Sequence, residues 1–122
     1  MEKHPDHAAS FEYPEDHYLV KVGNSVILDT THAILVKEVS PKGTYPPVLY
    51  FPKKDARKEF LISTDLHTFC PLKGEANYYS LSVDGRILEN AVWYYPEPLD
   101  HVKEIASYLS FYPDKVEIVK EN

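Results

Sequence analysis

The stretch Thr64-Asp65-Leu66-His67-Thr68-Phe69-Cys70-Pro71-Leu72-Lys73-Gly74 holds the densest set of reactive groups in the chain. A thiol, an imidazole and an amine so close in sequence point to nucleophilic chemistry. Cys70 would attack, His67 would act as its base, and Lys73 would favour the thiolate. Strand geometry opposes the simple version. Residues three apart on a regular strand face opposite sides, so Thr68 rather than His67 shares a face with Cys70. A bulge would have to bring His67 round. Free cysteines are also among the most buried residues, so a core or pocket-wall Cys70 stands beside the nucleophile. Lys73 likewise has two readings. It is either a turn residue with its head in water, or a cation at a pocket mouth that takes a carboxylate or phosphate.

Five further residues belong with these. Glu38 ends the apolar run Ile34-Leu35-Val36-Lys37-Glu38. It is either solvated or a pocket acid paired with Lys73 or a tyrosine, and burial without a partner would raise its pKa. Trp93 and Tyr95 lie two apart on one expected strand and so share a face. They are either core or an aromatic wall for a small ligand, with Tyr50 and Tyr45 as further rings. The remaining histidines, His4, His7, His17, His32 and His101, have no partners at ligand spacing, and Cys70 is the only cysteine. Neither a metal site nor a cofactor is expected.

The elements that must position these groups are mostly strands. Residues 1–14 read as a flexible arm and 15–122 as a single domain. His17–Val22 and Ser25–Thr30 form a hairpin about Gly23-Asn24, where glycine in first place suits a type II′ turn. Ala33–Val39 and Val48–Phe51 are strands, the second stopped by Pro52. Lys53–Leu61 offers one or two helical turns. Asn77–Val83 and Arg86–Tyr95 form a long hairpin about Asp84-Gly85, whose residue types supply the positive φ values of a type I′ turn. Simple counting from that turn sets Val83 opposite Arg86, Ser80 opposite Glu89 and Tyr78 opposite Ala91, with Trp93 near Ala76. Leu99, Val102, Ile105, Ala106 and Leu109 fall at helical spacing, which predicts a helix over about 98–110. Val116–Val119 adds a last strand. The fold class is mainly β, within α+β.

A net charge of −6 repels a phosphate backbone, so nucleic acid is not an expected partner. No apolar run approaches the ~20 residues of a membrane helix, and the single thiol fits a reduced, cytoplasmic setting. The many tyrosines, several of them next to proline, could instead form a surface that docks a protein.

Four blocks carry a recognisable pattern: Tyr45-Pro-Pro-Val-Leu-Tyr-Phe-Pro52, Cys70-Pro-Leu-Lys-Gly74, Asn90-Ala-Val-Trp-Tyr-Tyr-Pro-Glu-Pro98 and Leu109-Ser-Phe-Tyr-Pro-Asp114. In these blocks the chain resembles the domain of unknown function 427 family, over nearly all of residues 17–120. The resemblance implies a fold of the Mss4-like or β-tent type, two small sheets pinched together. The four-cysteine zinc site of relatives with that fold cannot be carried over to a chain with one cysteine. A nucleotidyltransferase label attached to the family finds no support in the residues. Such enzymes need paired aspartates to hold Mg²⁺, and no Asp-x-Asp occurs. The expected function is the binding of a small molecule or peptide end in an aromatic-lined pocket built from Glu38, Tyr50, His67, Cys70, Lys73, Trp93 and Tyr95. The alternatives are a cofactor-free enzyme using Cys70 and Lys73, and the Tyr/Pro interaction surface.

Overall fold

The computed structural model describes residues 8–40 and 43–121, with no side chain described at Ser40. Eleven strands follow one another: β1 (Ala8–Glu12), β2 (His17–Val22), β3 (Ser25–Thr30), β4 (Ile34–Ser40), β5 (Gly43–Thr44), β6 (Val48–Pro52), β7 (Leu61–Cys70), β8 (Gly74–Val83), β9 (Arg86–Tyr94), β10 (Tyr108–Phe111) and β11 (Glu117–Glu121). They form two antiparallel sheets. The larger runs β1-β4-β6-β10-β9-β8-β7, with β5 paired to β4, and the smaller runs β11-β2-β3. The chain is mainly β.

Part of the expected arm is ordered sheet. Ala8–Glu12 pairs with β4 from Ala8 opposite Val39 to Glu12 opposite Leu35. The cause is visible in the side chains: Ala9 and Phe11 alternate onto an apolar cluster with Ile34 and Val36. His4 and His7 lie outside the described residues.

Both expected hairpins form. Gly23 has φ of +59° and Asn24 is not in the left-handed region, as the II′ turn requires. Asp84 and Gly85 have φ of +51° and +79°, as I′ requires. The register of the second hairpin departs from simple counting. Val83 faces Arg86 and Leu81 faces Leu88, but then Tyr79 faces Val92 and Tyr78 faces Trp93. Asn90 takes φ of +50°, and its N–H donates to Ser80 Oγ at 2.9 Å. A side-chain acceptor has replaced a ladder carbonyl and made room for a bulge. Trp93 thereby arrives at Tyr78 rather than Ala76.

The expected helix over 98–110 is not formed. Asp100–Ile105 makes 3₁₀ turns, Val102 departs from helical angles within them, and Ser107 turns left-handed at φ +66° before β10 begins. Leu99, Val102 and Ile105 recur every third residue, which a three-residue turn satisfies as well as an α-helix does. Val102 and Ile105 also enter one core while Leu109 enters another. No single helix face could serve both.

Those two cores organise the molecule. One fills the space between the sheets, with Tyr18, Val20, Ile27, Leu28, Phe51, Leu81 and Val92 among its buried residues. The other lies on the opposite face of the large sheet, where Tyr50, Tyr78 and Tyr95 are closed over by Val102 and Ile105. Alternation along β6 and β8 sends Phe51 and Tyr79 one way and Tyr50 and Tyr78 the other. The candidate site belongs to this second core.

Candidate functional site

Lys73 occupies the tight turn between β7 and β8. Its N–H donates to the Cys70 carbonyl at 3.1 Å, and its own carbonyl accepts from the Leu99 N–H at 3.0 Å. Gly74 follows with φ of +112°, and a Cβ there would lie 3.4 Å from the Glu97 carbonyl oxygen. The backbone is therefore held on both sides, and the lysine side chain turns inward, only 6% of the residue being exposed.

A lysine is almost never so buried without a partner. Glu38 supplies one from β4, with Oε1 3.0 Å from Lys73 Nζ. The ammonium also lies 5.7 Å from the ring centre of Tyr50 and 6.0 Å from that of Tyr95. Burial pulls the lysine pKa down, but Tyr50 and Glu38 outweigh it, and the net position is above the ordinary value. Lys73 stays charged.

The tyrosine hydroxyls complete the cluster. Tyr50 is fully buried, and its hydroxyl makes no well-formed hydrogen bond among the described residues, although the Lys73 ammonium and the Trp93 indole lie close enough to act on it. Burial raises its pKa, opposed by the nearby Lys73 charge. Tyr95 is raised further, first by burial and then by the proximity of Tyr50. Trp93 meets Tyr50 edge-on at 6.4 Å and Tyr112 at 4.6 Å. Cys70 is half-buried and packs against the same core.

Five of the expected wall residues therefore converge with Lys73: Glu38, Tyr50, Cys70, Trp93 and Tyr95. His67 does not. It stands exposed on the other face of β7, with Nδ1 2.7 Å from Asn77 Oδ1 and 3.5 Å from Glu75 Oε2. Thr68 has the Cys70 face, where its hydroxyl meets that of Tyr78 at 2.9 Å. No Cys70–His67 pair is formed, for the reason strand alternation gives. Tyr45 is exposed in the connection between β5 and β6.

The lysine turn does not share the cavity that Trp93 lines. Trp93 helps line a cavity of about 260 Å³ with Pro47, Val48, Leu49, Ser110 and Pro113, but Lys73 and Glu38 are not part of its wall. Lysine and indole both meet the Tyr50 ring, and Glu38 and Cys70 are partly exposed members of the cluster.

Sequence reasoning missed two partners. Tyr78 and Tyr112 are neighbours of the cluster, and Tyr112 is pushed up to about 12 by burial and the adjacent Tyr78. The even-numbered face of β8 could have shown Tyr78. A second cluster lies on the other face, where Lys53 donates to the Tyr79 hydroxyl at 2.9 Å beside the stacked rings of Tyr79 and Tyr94. The Lys53 head is thus turned to the sheet.

The tyrosines divide between core and surface. Tyr18, Tyr50, Tyr78, Tyr79 and Tyr95 are buried, and Tyr13 and Tyr45 are the large exposed ones. Among the described residues no group of three or more His, Cys, Asp or Glu side chains is placed to hold a metal, and no helix is long and apolar enough to cross a membrane.

A family model described as a domain of unknown function, DUF427, matches residues 10–122. The chain belongs to this family. No curated protein matches it. The match begins within β1, so the DUF427 domain takes in the first strand of the large sheet as well as the blocks around Lys73 and Trp93.

Proposed function

We propose that this DUF427 domain binds a small molecule or peptide end at the Lys73–Glu38–Tyr50 cluster. The observation that carries the reading is the fully buried Tyr50 hydroxyl, which completes no well-formed hydrogen bond although the Lys73 ammonium and Trp93 lie beside it. An unsatisfied buried hydroxyl costs about 1–3 kcal/mol, and such groups are retained where a ligand supplies the missing partner. The ion pair leaves lysine protons to donate, and the hydroxyl can donate as well. The ligand this combination selects carries an oxygen acceptor, a carbonyl or carboxylate, on a flat body that packs against Tyr95 and Trp93. Entry is by Glu38, whose side chain is 19% exposed against 8% for Lys73.

The test is a thermal-shift screen of small carboxylic acids, cyclic carbonyl compounds and short peptides, run in parallel on the wild type and Tyr50→Phe. A true ligand at about 100 times its dissociation constant adds about 2.7 kcal/mol to the wild type and distinctly less to the variant. Hits that stabilise both proteins equally would remove the hydroxyl from the site, and a broad screen without hits would remove the site.

The enzyme reading draws on one observation, that Cys70 and Lys73 share Tyr50 and Tyr95 as neighbours. It lacks a histidine base, since His67 is engaged elsewhere. Two further parts of this proposal rest on lesser support. The Mss4-like or β-tent class agrees with two packed antiparallel sheets, and a cytoplasmic setting agrees with the free thiol.

A further inference from the structure

We infer that the hollow between the β1–β2 connection, the β3–β4 connection and the start of β10 is a binding site for a small organic cation, an amine or a quaternary ammonium. It measures about 450 Å³ and is walled by Tyr13-Pro14-Glu15 from the β1–β2 connection, Thr31-His32-Ala33 from the β3–β4 connection, and Tyr108 at the start of β10. That volume lies within the usual range for small-molecule sites. Neither Lys73 nor Glu38 contributes to it, so it stands or falls apart from the proposed function.

Its chemistry is one-sided. No lysine or arginine lines it. The Glu15 carboxylate, which does, makes no hydrogen bond or ion pair among the described residues. Asp55 is near enough to Tyr108 to act on its phenol; it accepts from the Thr30 hydroxyl at 2.6 Å and has the exposed Lys54 ammonium at 3.7 Å. Tyr13 acts on Tyr108 as well, yet no ring contact joins the two, and Tyr13 is 60% exposed. Two aromatic walls that face a common space without packing together, beside an unpaired carboxylate, are what a cation recognises. The ring quadrupoles attract it, and the carboxylate supplies the countercharge. The chain's net charge of −6 adds to the attraction for positive ligands.

Shape and charge can be separated with two probes. Choline chloride and its neutral isostere 3,3-dimethylbutan-1-ol are titrated into ¹⁵N-labelled protein at constant ionic strength. Choline is expected to give saturable shifts at Glu15, Thr31, His32, Ala33 and Tyr108, and to bind at least roughly three-fold more tightly than the alcohol, the increment of a single exposed cation–π contact. Glu15→Gln is expected to weaken choline several-fold and leave the alcohol unchanged, while Glu104→Gln, an exposed acid elsewhere, changes neither. Tyr13→Leu, at a site exposed enough to leave the fold intact, should reduce the preference for choline. Non-saturating shifts scattered over the acidic surface, equal binding of the two probes, or indifference to Glu15→Gln would each overturn the inference.

Discussion

Lys73 Nζ and Glu38 Oε1 lie 3.0 Å apart, and the two partners are unequally buried, the lysine side chain 8% exposed and the glutamate 19%. The lysine comes from a turn between β7 and β8, and the glutamate from β4 on the far side of β6 in the same sheet. Each has to cross the ring of Tyr50 to reach the other. A buried pair of this kind gains little over an apolar replacement, but removing one partner alone strands a charge.

The unequal burial predicts unequal mutational costs. Glu38→Ala leaves an ammonium that cannot reach water, and is expected to destabilise by about 3 kcal/mol. Lys73→Met keeps the length of the side chain and leaves a carboxylate that can hydrate, and is expected to cost about 1 kcal/mol or less. Urea unfolding of both variants measures the difference. Equal costs would mean that the pair is effectively at the surface.

Alkaline pH should undo the second core. Lys73, Tyr50, Tyr95 and Tyr112 all titrate above their ordinary values in the folded chain, because burial raises the phenols and the pairing of the lysine outweighs its burial. A group that binds its proton more tightly when folded contributes stability that is complete below its unfolded pKa and is lost as pH rises through the folded one. Stability is therefore expected to be flat through neutral pH and to fall from about pH 10 upward, past the Tyr112 value of about 12. Phenolate absorbance followed together with near-ultraviolet circular dichroism checks this. Phenols that ionise freely at pH 10 with the dichroism unchanged would contradict the burial.

The bulge at Asn90 should be the sensitive point of the long hairpin. Ser80→Ala removes the acceptor of the Asn90 N–H and is expected to cost about 1–3 kcal/mol. Asn90→Val places a β-branched residue at φ of +50°, for which a loss of at least about 1 kcal/mol is expected. Asn90→Gly relieves that backbone and removes a buried, unpaired Oδ1, so it should be neutral or stabilising. Thermal unfolding of the three variants ranks them. A destabilised glycine variant would show that the asparagine side chain, not the backbone, holds the register.

The bulge also marks where the sequence stops being legible. Gly23-Asn24 and Asp84-Gly85 announce their turns by residue type, because positive φ is a local demand that few residues meet. Cys70 and Thr68 share a face because alternation is local too. Asn90 gives a weaker signal: asparagine tolerates positive φ, but the acceptor that accompanies the bulge is the Ser80 hydroxyl, ten residues away in sequence and across the hairpin. The segment after Pro98 misleads for a related reason. Val102 and Leu109 have helical spacing but belong to opposite faces of the large sheet, and only tertiary packing decides that. For the site, the residue types of Glu38, Lys73, Tyr50, Trp93 and Tyr95 suffice to bring them under consideration. That Lys73 and Glu38 meet beside Tyr50, with β6, β10 and β9 between β4 and β8, is decided by tertiary packing, which no spacing rule contains.

Tyr50 separates stability from binding most sharply. Its hydroxyl makes no well-formed hydrogen bond among the described residues, with Lys73 and Trp93 its nearest polar neighbours, so Tyr50→Phe deletes a desolvated oxygen and leaves the ring against Trp93 and Lys73. An oxygen that served only the fold would be missed on removal, because its loss would break a hydrogen bond worth about 1 kcal/mol. One kept for a ligand should release roughly that amount instead. Tyr50→Phe is therefore expected to unfold at slightly higher denaturant than the wild type, by up to about 1 kcal/mol, with an unchanged dependence on denaturant concentration. Tyr95→Phe serves as the comparison, being a neighbouring ring on the same face. A Tyr50→Phe variant clearly less stable than the wild type would show that the hydroxyl already has a partner in the free protein. The argument for a ligand oxygen at that position would then fail.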